Sequence, residues 1–334
     1  MSKPIAERAA VDAADFAAEI ADGYCPVVLR GQVADWPAVA AARGGPAAIA
    51  DYIAGFDRGS TVDVLAGPAN IEGRFFYNAA VTGVNFERGT VPLRDLLAEL
   101  VRMVDQPHPA ALYAGAAAAE DHLPGWENAN PLGLPTPGGN AKIWIGNRTR
   151  VATHYDVSSN IACVVAGRRR FTLFPPEQIR NLYVGPLEFT LAGQPTSMVD
   201  LEAPDFEVYP RFAEALDHAQ SAELGPGDAI FIPSLWWHNV AALAPLNVLV
   251  NTWWGQANET PAFAALIHAL LSIRDVAPAE RTAWRDWFDH YVFGEDAHKS
   301  ADHLPASARG VLSAASPGRT EQLKRYLQRS LERR

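Results

Sequence analysis

Lysine is the scarcest charged residue in this chain of 334 residues: it stands only at positions 3, 142, 299 and 324, so arginine supplies most of the 28 positive charges. Acidic residues number 38, leaving a net charge of −10. That balance argues against nucleic acid as a partner, because such binding through a broad surface needs many cations against phosphates. Arg168-Arg169-Arg170 is the one tight basic cluster. Cysteine is nearly missing. Cys25 and Cys163 are too few for a disulfide framework, lack the paired spacing of zinc sites, and read as small buried residues. Long apolar runs are missing as well. No stretch reaches the roughly 18 consecutive apolar residues of a membrane span. Residues 1–25 carry Glu7, Arg8, Asp12, Asp15, Glu19 and Asp22, which break any signal-peptide core. The expectation is a cytoplasmic protein with no membrane partner. Internal repeats and low-complexity linkers are absent too.

What is present suffices for a large core, since 49% of the residues are hydrophobic. Residues 12–22 read as a short helix stopped by Gly23, and 26–30 as a strand. Asp35-Trp36-Pro37 precedes an alanine-rich helical stretch to about residue 54. Short strands follow at 62–65 and 74–77. Pro92 opens a helix whose Leu93, Leu96, Leu97, Leu100 and Val101 form one apolar stripe. From 110 to 254 the texture changes to short β-branched and aromatic runs divided by Gly, Pro and Asn. Strands are expected at 110–114, 142–146, 151–156, 160–166, 169–174, 228–232 and 247–254, with long loops at 115–140 and 178–206. After Gly255 three helical stripes return: Phe263 to Leu271, Trp284 to Tyr291, and Leu323, Leu327 and Leu331. The reading is one domain over 1–334, with an α/β elaboration over 1–109, a β core over 110–255 and a helical region over 256–334.

Thr153-His154-Tyr155-Asp156 carries the chemistry. On a strand, residues two apart share a face, so His154 and Asp156 point the same way. With a histidine from a distant strand, His238 of Pro233-Ser-Leu-Trp-Trp-His238, they make a two-histidine, one-carboxylate set. Such a set leaves metal positions open and suits Fe(II) oxygen chemistry. Nine histidines produce His-x-Asp by accident in roughly half of such chains, so the triplet needs support from elsewhere.

That support is a resemblance. Gly227-Asp-Ala-Ile-Phe-Ile-Pro233 running to His238 resembles the second metal motif of cupins. His154 through Asn160, and Gly167-Arg-Arg-Arg-Phe171 through Gln178, look like the JmjC and cupin-like hydroxylases related to the asparaginyl hydroxylase that inhibits hypoxia-inducible factor. The likeness covers most of residues 25–255, including Asp35-Trp36-Pro37 and Asn251-Thr-Trp253-Trp254.

The resemblance implies a mainly β (α+β) fold, a double-stranded β-helix or jelly roll with flanking N-terminal and C-terminal helices. It implies Fe(II) held by His154, Asp156 and His238. It also implies 2-oxoglutarate as cosubstrate, with Tyr113 and Arg169 as its anchors. Those relatives carry lysine at the position of Arg169 and a hydroxyl residue at Val151. Asn160 and Asn251 either close strand irregularities or touch cosubstrate and substrate. Trp253 and Trp254 are core or pocket wall. The implied activity hydroxylates a C–H bond of a protein side chain or a small molecule. The competing reading, motivated by Arg169 and Val151, is a metal-binding cupin-fold regulatory protein that does not turn over 2-oxoglutarate. A cupin isomerase or a cosubstrate-free dioxygenase fits the carboxylate-containing set less well. By the same resemblance, the C-terminal helices would pair two copies into a homodimer.

Overall fold

The computed structural model describes residues 2–255 and 262–332 of the chain, which divides into two compact units, Met1–Gln256 and Ala257–Arg334. Positions 256–261 and 333–334 of the expected helical region lie outside the described residues.

The first unit is built on strands β1 (Lys3–Pro4), β2 (Ala6–Ala9), β3 (Val27–Arg30), β4 (Thr61–Gly67) and β5 (Arg74–Phe75). Next come β6 (Glu87–Pro92), β7 (Ala111–Ala118), β8 (Asn140–Gly146), β9 (Arg150–His154) and β10 (Ser159–Ala166). The last are β11 (Arg169–Phe174), β12 (Gln220–Leu224), β13 (Ala229–Ile232), β14 (Trp237–Ala242) and β15 (Asn247–Trp254). One sheet runs β1-β12-β11-β14-β9-β5 and the other β2-β3-β13-β10-β15-β8-β7-β4-β6. Both are mixed, with β1 parallel to β12, β5 to β9 and β2 to β3.

Alternation along β10 shows how the sheets stack. Ala162 and Val164 join Phe171, Leu173, Ile230 and Val240 between the two sheets. Ile161, Cys163 and Val165 face the other way, onto a layer that includes Ile49, Ile53, Leu96 and Leu100. A strand covered on both faces is apolar at every position, which is how Ile161–Ala166 reads. Each large side chain so buried stabilises the fold by about 1.5–3 kcal/mol. Two sheets around an apolar filling, with helices on the outer face, are the expected jelly roll.

Helix Leu93–Met103 buries the expected stripe, although Pro92 itself ends β6 and caps the helix. The alanine-rich stretch divides into helices Pro37–Arg43 and Pro46–Phe56. The break falls where Gly45 adopts φ +97° and Pro46 can donate no helical hydrogen bond. Five strands were not expected: β1, β2, β6, β12 and β14. Gln220–Leu224 has no β-branched or aromatic residue and is extended because β11 pairs with it. The expected strand 151–156 stops at His154. Of the two cysteines Cys163 is buried, but Cys25 is exposed, contrary to its reading as a core residue.

The second unit contains helices Ala262–Ser272, Pro278–Phe288 and Pro317–Glu332, the middle one continuing through a wider π turn, Asp289–Phe293. These helices bury none of their described side chains; Leu271 and Phe293 are 75% and 73% exposed. Among the described residues no helix is long and apolar enough to cross a membrane.

Candidate metal centre and its two cavities

β9 and β14 are neighbours, and His154 stands directly across the ladder from His238, with ring centroids 4.3 Å apart. Asp156 Oδ2 lies 3.6 Å from His238 Nε2. One ligand atom from each of the three lies within 4.8 Å of the others. Strand alternation does not aim Asp156, because β9 ends two residues before it. The turn does so instead: the Asp156 carbonyl accepts from Leu235 N at 2.7 Å, with Leu235 at φ +65°. That bond ties the turn after β9 to the turn before β14. Within β9 one extra residue bulges between Val151 and His154, so these two, three apart, both line the interior.

Both imidazoles are oriented for ligation. His154 Nδ1 lies 2.9 Å from Ala152 O and His238 Nδ1 lies 3.0 Å from Trp236 O. Carbonyl oxygens only accept, so each Nδ1 carries the proton and each Nε2 offers a lone pair inward. Burial, with His154 alongside, pushes His238 down to about 4 against the pull of Asp156. The ring is therefore neutral at pH 7, the form that binds a metal. Asp156 Oδ2 accepts from Trp253 Nε1 at 3.0 Å. Two imidazoles and one carboxylate fit Fe(II) chemistry, with coordination positions left for other ligands.

Behind this cluster lies a cavity of about 60 Å³ containing Arg169, Tyr113, Asn160 and Asn251. Arg169 is 1% exposed, and its Nε and Nη2 have no hydrogen-bond partner among the described residues. These two nitrogens form one edge of the guanidinium fork. A buried charge left unpaired costs several kcal/mol, and a carboxylate laid bidentately on that edge would offset it. The residues present thus fit a carboxylate-bearing cosubstrate. Burial raises the Tyr113 phenol pKa, while the nearby Arg169 lowers it in part. Strand register selects the inward arginine: Arg168 and Arg170 point outward, to Glu223 and Glu202. Gly167 starts that register at φ +78°, where a Cβ would come within 2.5 Å of Leu246 O. Asn251 Oδ1 accepts from Trp144 Nε1 at 2.7 Å, and its Nδ2 donates to Asn160 Oδ1 at 3.1 Å. Among the described residues Asn160 Nδ2 has no hydrogen-bond partner, which leaves it able to meet a ligand.

In front of the cluster lies a larger cavity of about 320 Å³, walled by Phe75, Phe86, Leu191, Trp144 and Trp253. Its outer wall is part of the long 178–206 loop. Tyr77 Oη donates to Phe189 O at 2.6 Å, Arg88 donates to Leu191 O, and Ser197 N donates to Thr153 O at 2.7 Å. Sequence reasoning missed Trp144, Arg88 and the hydrogen bond from Trp253 to Asp156. Trp144 was legible, because alternation in β8 sets it opposite Ile143 and Ile145, which face the helices. Nothing in the sequence marks Arg88.

A family profile described as a cupin-like domain matches residues 13–260. The chain belongs to this cupin-like family. Among curated proteins, the lysine-specific demethylase JMJ31 of Arabidopsis thaliana is 39% identical over 113 residues, 34% of this chain and 20% of that protein. The tRNA wybutosine-synthesizing protein 5 of Danio rerio is 39% identical over 102 residues, 30% of this chain and 28% of that protein. HSPB1-associated protein 1 of Bos taurus is 33% identical over 185 residues, 53% of this chain and 37% of that protein. The chain thus spans well under half the length of these relatives. The JmjC and cupin-like resemblance carried by the two histidine motifs agrees with this membership.

Proposed function

We propose that this cupin-like protein is an Fe(II)- and 2-oxoglutarate-dependent oxygenase that hydroxylates a C–H bond of a protein side chain or a small molecule, releasing succinate and CO2. The observation that carries this reading is the Arg169 edge, buried and unpaired, in the same small cavity as His154, Asp156 and His238. Iron in this setting supplies activation of O2, coupled to decarboxylation of 2-oxoglutarate. The chain's own residues do the rest. His154, Asp156 and His238 hold the metal, and Arg169 with Tyr113 takes the far carboxylate. Asn160 and Asn251 line the reacting space, and Trp144 and Trp253 keep water from it. Anaerobic titration with Fe(II) and 2-oxoglutarate is expected to give a weak visible charge-transfer band, and admission of O2 to give succinate. Absence of both refutes the enzyme. Metal binding without any calorimetric signal for 2-oxoglutarate favours the regulatory cupin, the reading that the arginine and Val151 departures motivate.

We also propose a cytoplasmic homodimer formed through the C-terminal helices, with neither nucleic acid nor membrane as partner. Exposed Leu271, Trp287 and Phe293 support the pairing, since large apolar side chains gain from being covered by a partner. Sedimentation is expected to return twice 36.1 kDa; the single-chain mass refutes it.

A further inference from the structure

The outer cavity has a charged end that iron and cosubstrate leave unused. Leu65 pairs with Arg88 and Asp63 with Thr90 across β4 and β6, so Asp63 and Arg88 are diagonal neighbours on one sheet face. Both line the cavity. Charge on a terminal strand ordinarily serves to keep a sheet edge from pairing. Here the two side chains stay apart from each other and border an apolar space. Arg88 holds Leu191 O through Nη2 and stands 5.3 Å from the Phe86 ring centre. Asp63 Oδ1 accepts from Thr90 Oγ1 at 3.1 Å. Among the described residues these are their only side-chain bonds, so Arg88 Nε and Nη1 and Asp63 Oδ2 remain available.

From that end an aromatic floor leads to the metal cluster. Tyr113 stacks on Trp144 with centroids 5.9 Å apart, Trp144 meets Trp253 edge-on at 5.7 Å, and Trp253 donates to Asp156. The strands involved are β6, β4, β7, β8 and β15 in sheet order. Four strand steps span about 19 Å. The space is mostly apolar, with one cation and one anion side by side where β4 and β6 border it. Its volume is near the lower limit for small-ligand pockets.

We propose that the outer cavity binds a free α-amino acid with a long apolar or aromatic side chain. The carboxylate lies on Arg88 and the ammonium on Asp63. The side chain lies along the aromatic floor with its far end at His154, Asp156 and His238. A residue within a polypeptide has neither terminal charge to offer, and the pinned 189–196 segment walls the approach. The inference rests on the oxygenase reading for the reaction that follows. There the substrate C–H becomes C–OH. O2 accepts four electrons, two from that bond and two from 2-oxoglutarate, which leaves as succinate and CO2.

The test is calorimetry on protein loaded with redox-inert Zn(II) and 2-oxoglutarate, so that binding is read without turnover. L-Phenylalanine, L-leucine and L-methionine are titrated singly, then phenylalanine methyl ester, 3-phenylpropanoate and an end-blocked phenylalanine peptide. The free amino acids are expected to bind at least tenfold tighter than the ester or the peptide. Arg88→Gln should weaken them at least tenfold. Asp63→Asn, which does not touch the loop, should weaken them similarly while leaving 3-phenylpropanoate unchanged. Equal or tighter binding of the blocked peptide overturns the proposal in favour of a protein side chain. So does absence of amino-acid binding in protein that binds 2-oxoglutarate. Absence of 2-oxoglutarate binding itself fells the oxygenase reading instead, and amino-acid binding is then scored alone on the Zn(II) protein.

Discussion

The two cavities that meet at His154 and Asp156 are made of opposite materials. The inner one is small and holds a buried cation, a buried imidazole and two buried amides. The outer one is about five times larger and mostly apolar, with Asp63 and Arg88 on β4 and β6 as its charges apart from the metal-cluster residues. The difference separates two tasks. His154, His238 and Arg169 stand on sheet ladders, where register leaves little freedom, Asp156 is set by the turn after β9, and the fold tolerates a guanidinium edge without a partner beside them. Surfaces that would select a substrate come in part from the edge strands β5 and β6 and a loop, which can vary without disturbing the ladders.

The sharpest way to break this division is His238→Ala. Stoichiometric Fe(II) binding is expected to vanish while the outer cavity keeps its shape; a retained one-to-one titration would show that the cluster is not the metal site. Arg169→Leu should follow, with 2-oxoglutarate affinity falling about 100-fold on calorimetry. The same change should raise the stability of the unliganded protein by roughly 1–3 kcal/mol in urea, because an unpaired buried charge is replaced by an apolar side chain. A variant that is less stable would mean that Arg169 is satisfied in the free protein.

pH probes the same burden. The His238 pKa falls from 6.5 to about 4 on folding. Between those values the unfolded chain binds a proton that the folded chain refuses, so the contribution is whole above about pH 6.5 and is lost as pH falls toward 4. Metal-free protein should lose roughly 3 kcal/mol across that window in urea titrations. Unchanged stability from pH 7 to 4.5 would contradict the burial argument. The smallest effect is expected from Trp253→Phe, which keeps the aromatic packing and removes only the donor to Asp156. Metal affinity should fall about 10- to 100-fold, with 2-oxoglutarate binding to the metal-loaded protein little altered. Wild-type metal affinity would leave Trp253 a wall residue alone.

Legibility followed the same boundary. β10, covered on both faces, reads directly as an apolar run, and the stripe of Leu93–Met103 reads at helical spacing. The pair His154 and Asp156 was legible as a pair, although for an incomplete reason, since a turn tied to Leu235 aims the carboxylate. Arg169 was named among three adjacent arginines, but which one turns inward depends on the β11 register, and a slip of one residue reverses every face. Gln220–Leu224, polar and unbranched, and Glu87–Pro92, interrupted by Gly89 and ended by Pro92, were not legible, because such segments become strands only when a neighbour offers its ladder.

By itself, the sequence determined the layer pattern, the family and the residue types of the candidate metal centre, because periodicity and motif spacing are local properties of a chain. The tertiary structure alone decided that one edge of Arg169 is buried without a hydrogen-bond partner among the described residues, that Trp253 holds Asp156, and that Asp63 and Arg88 border one cavity. Each of these depends on which strands lie side by side and in what register, and residues 97 or more positions apart, such as Asp156 and Trp253, leave no local trace of their meeting.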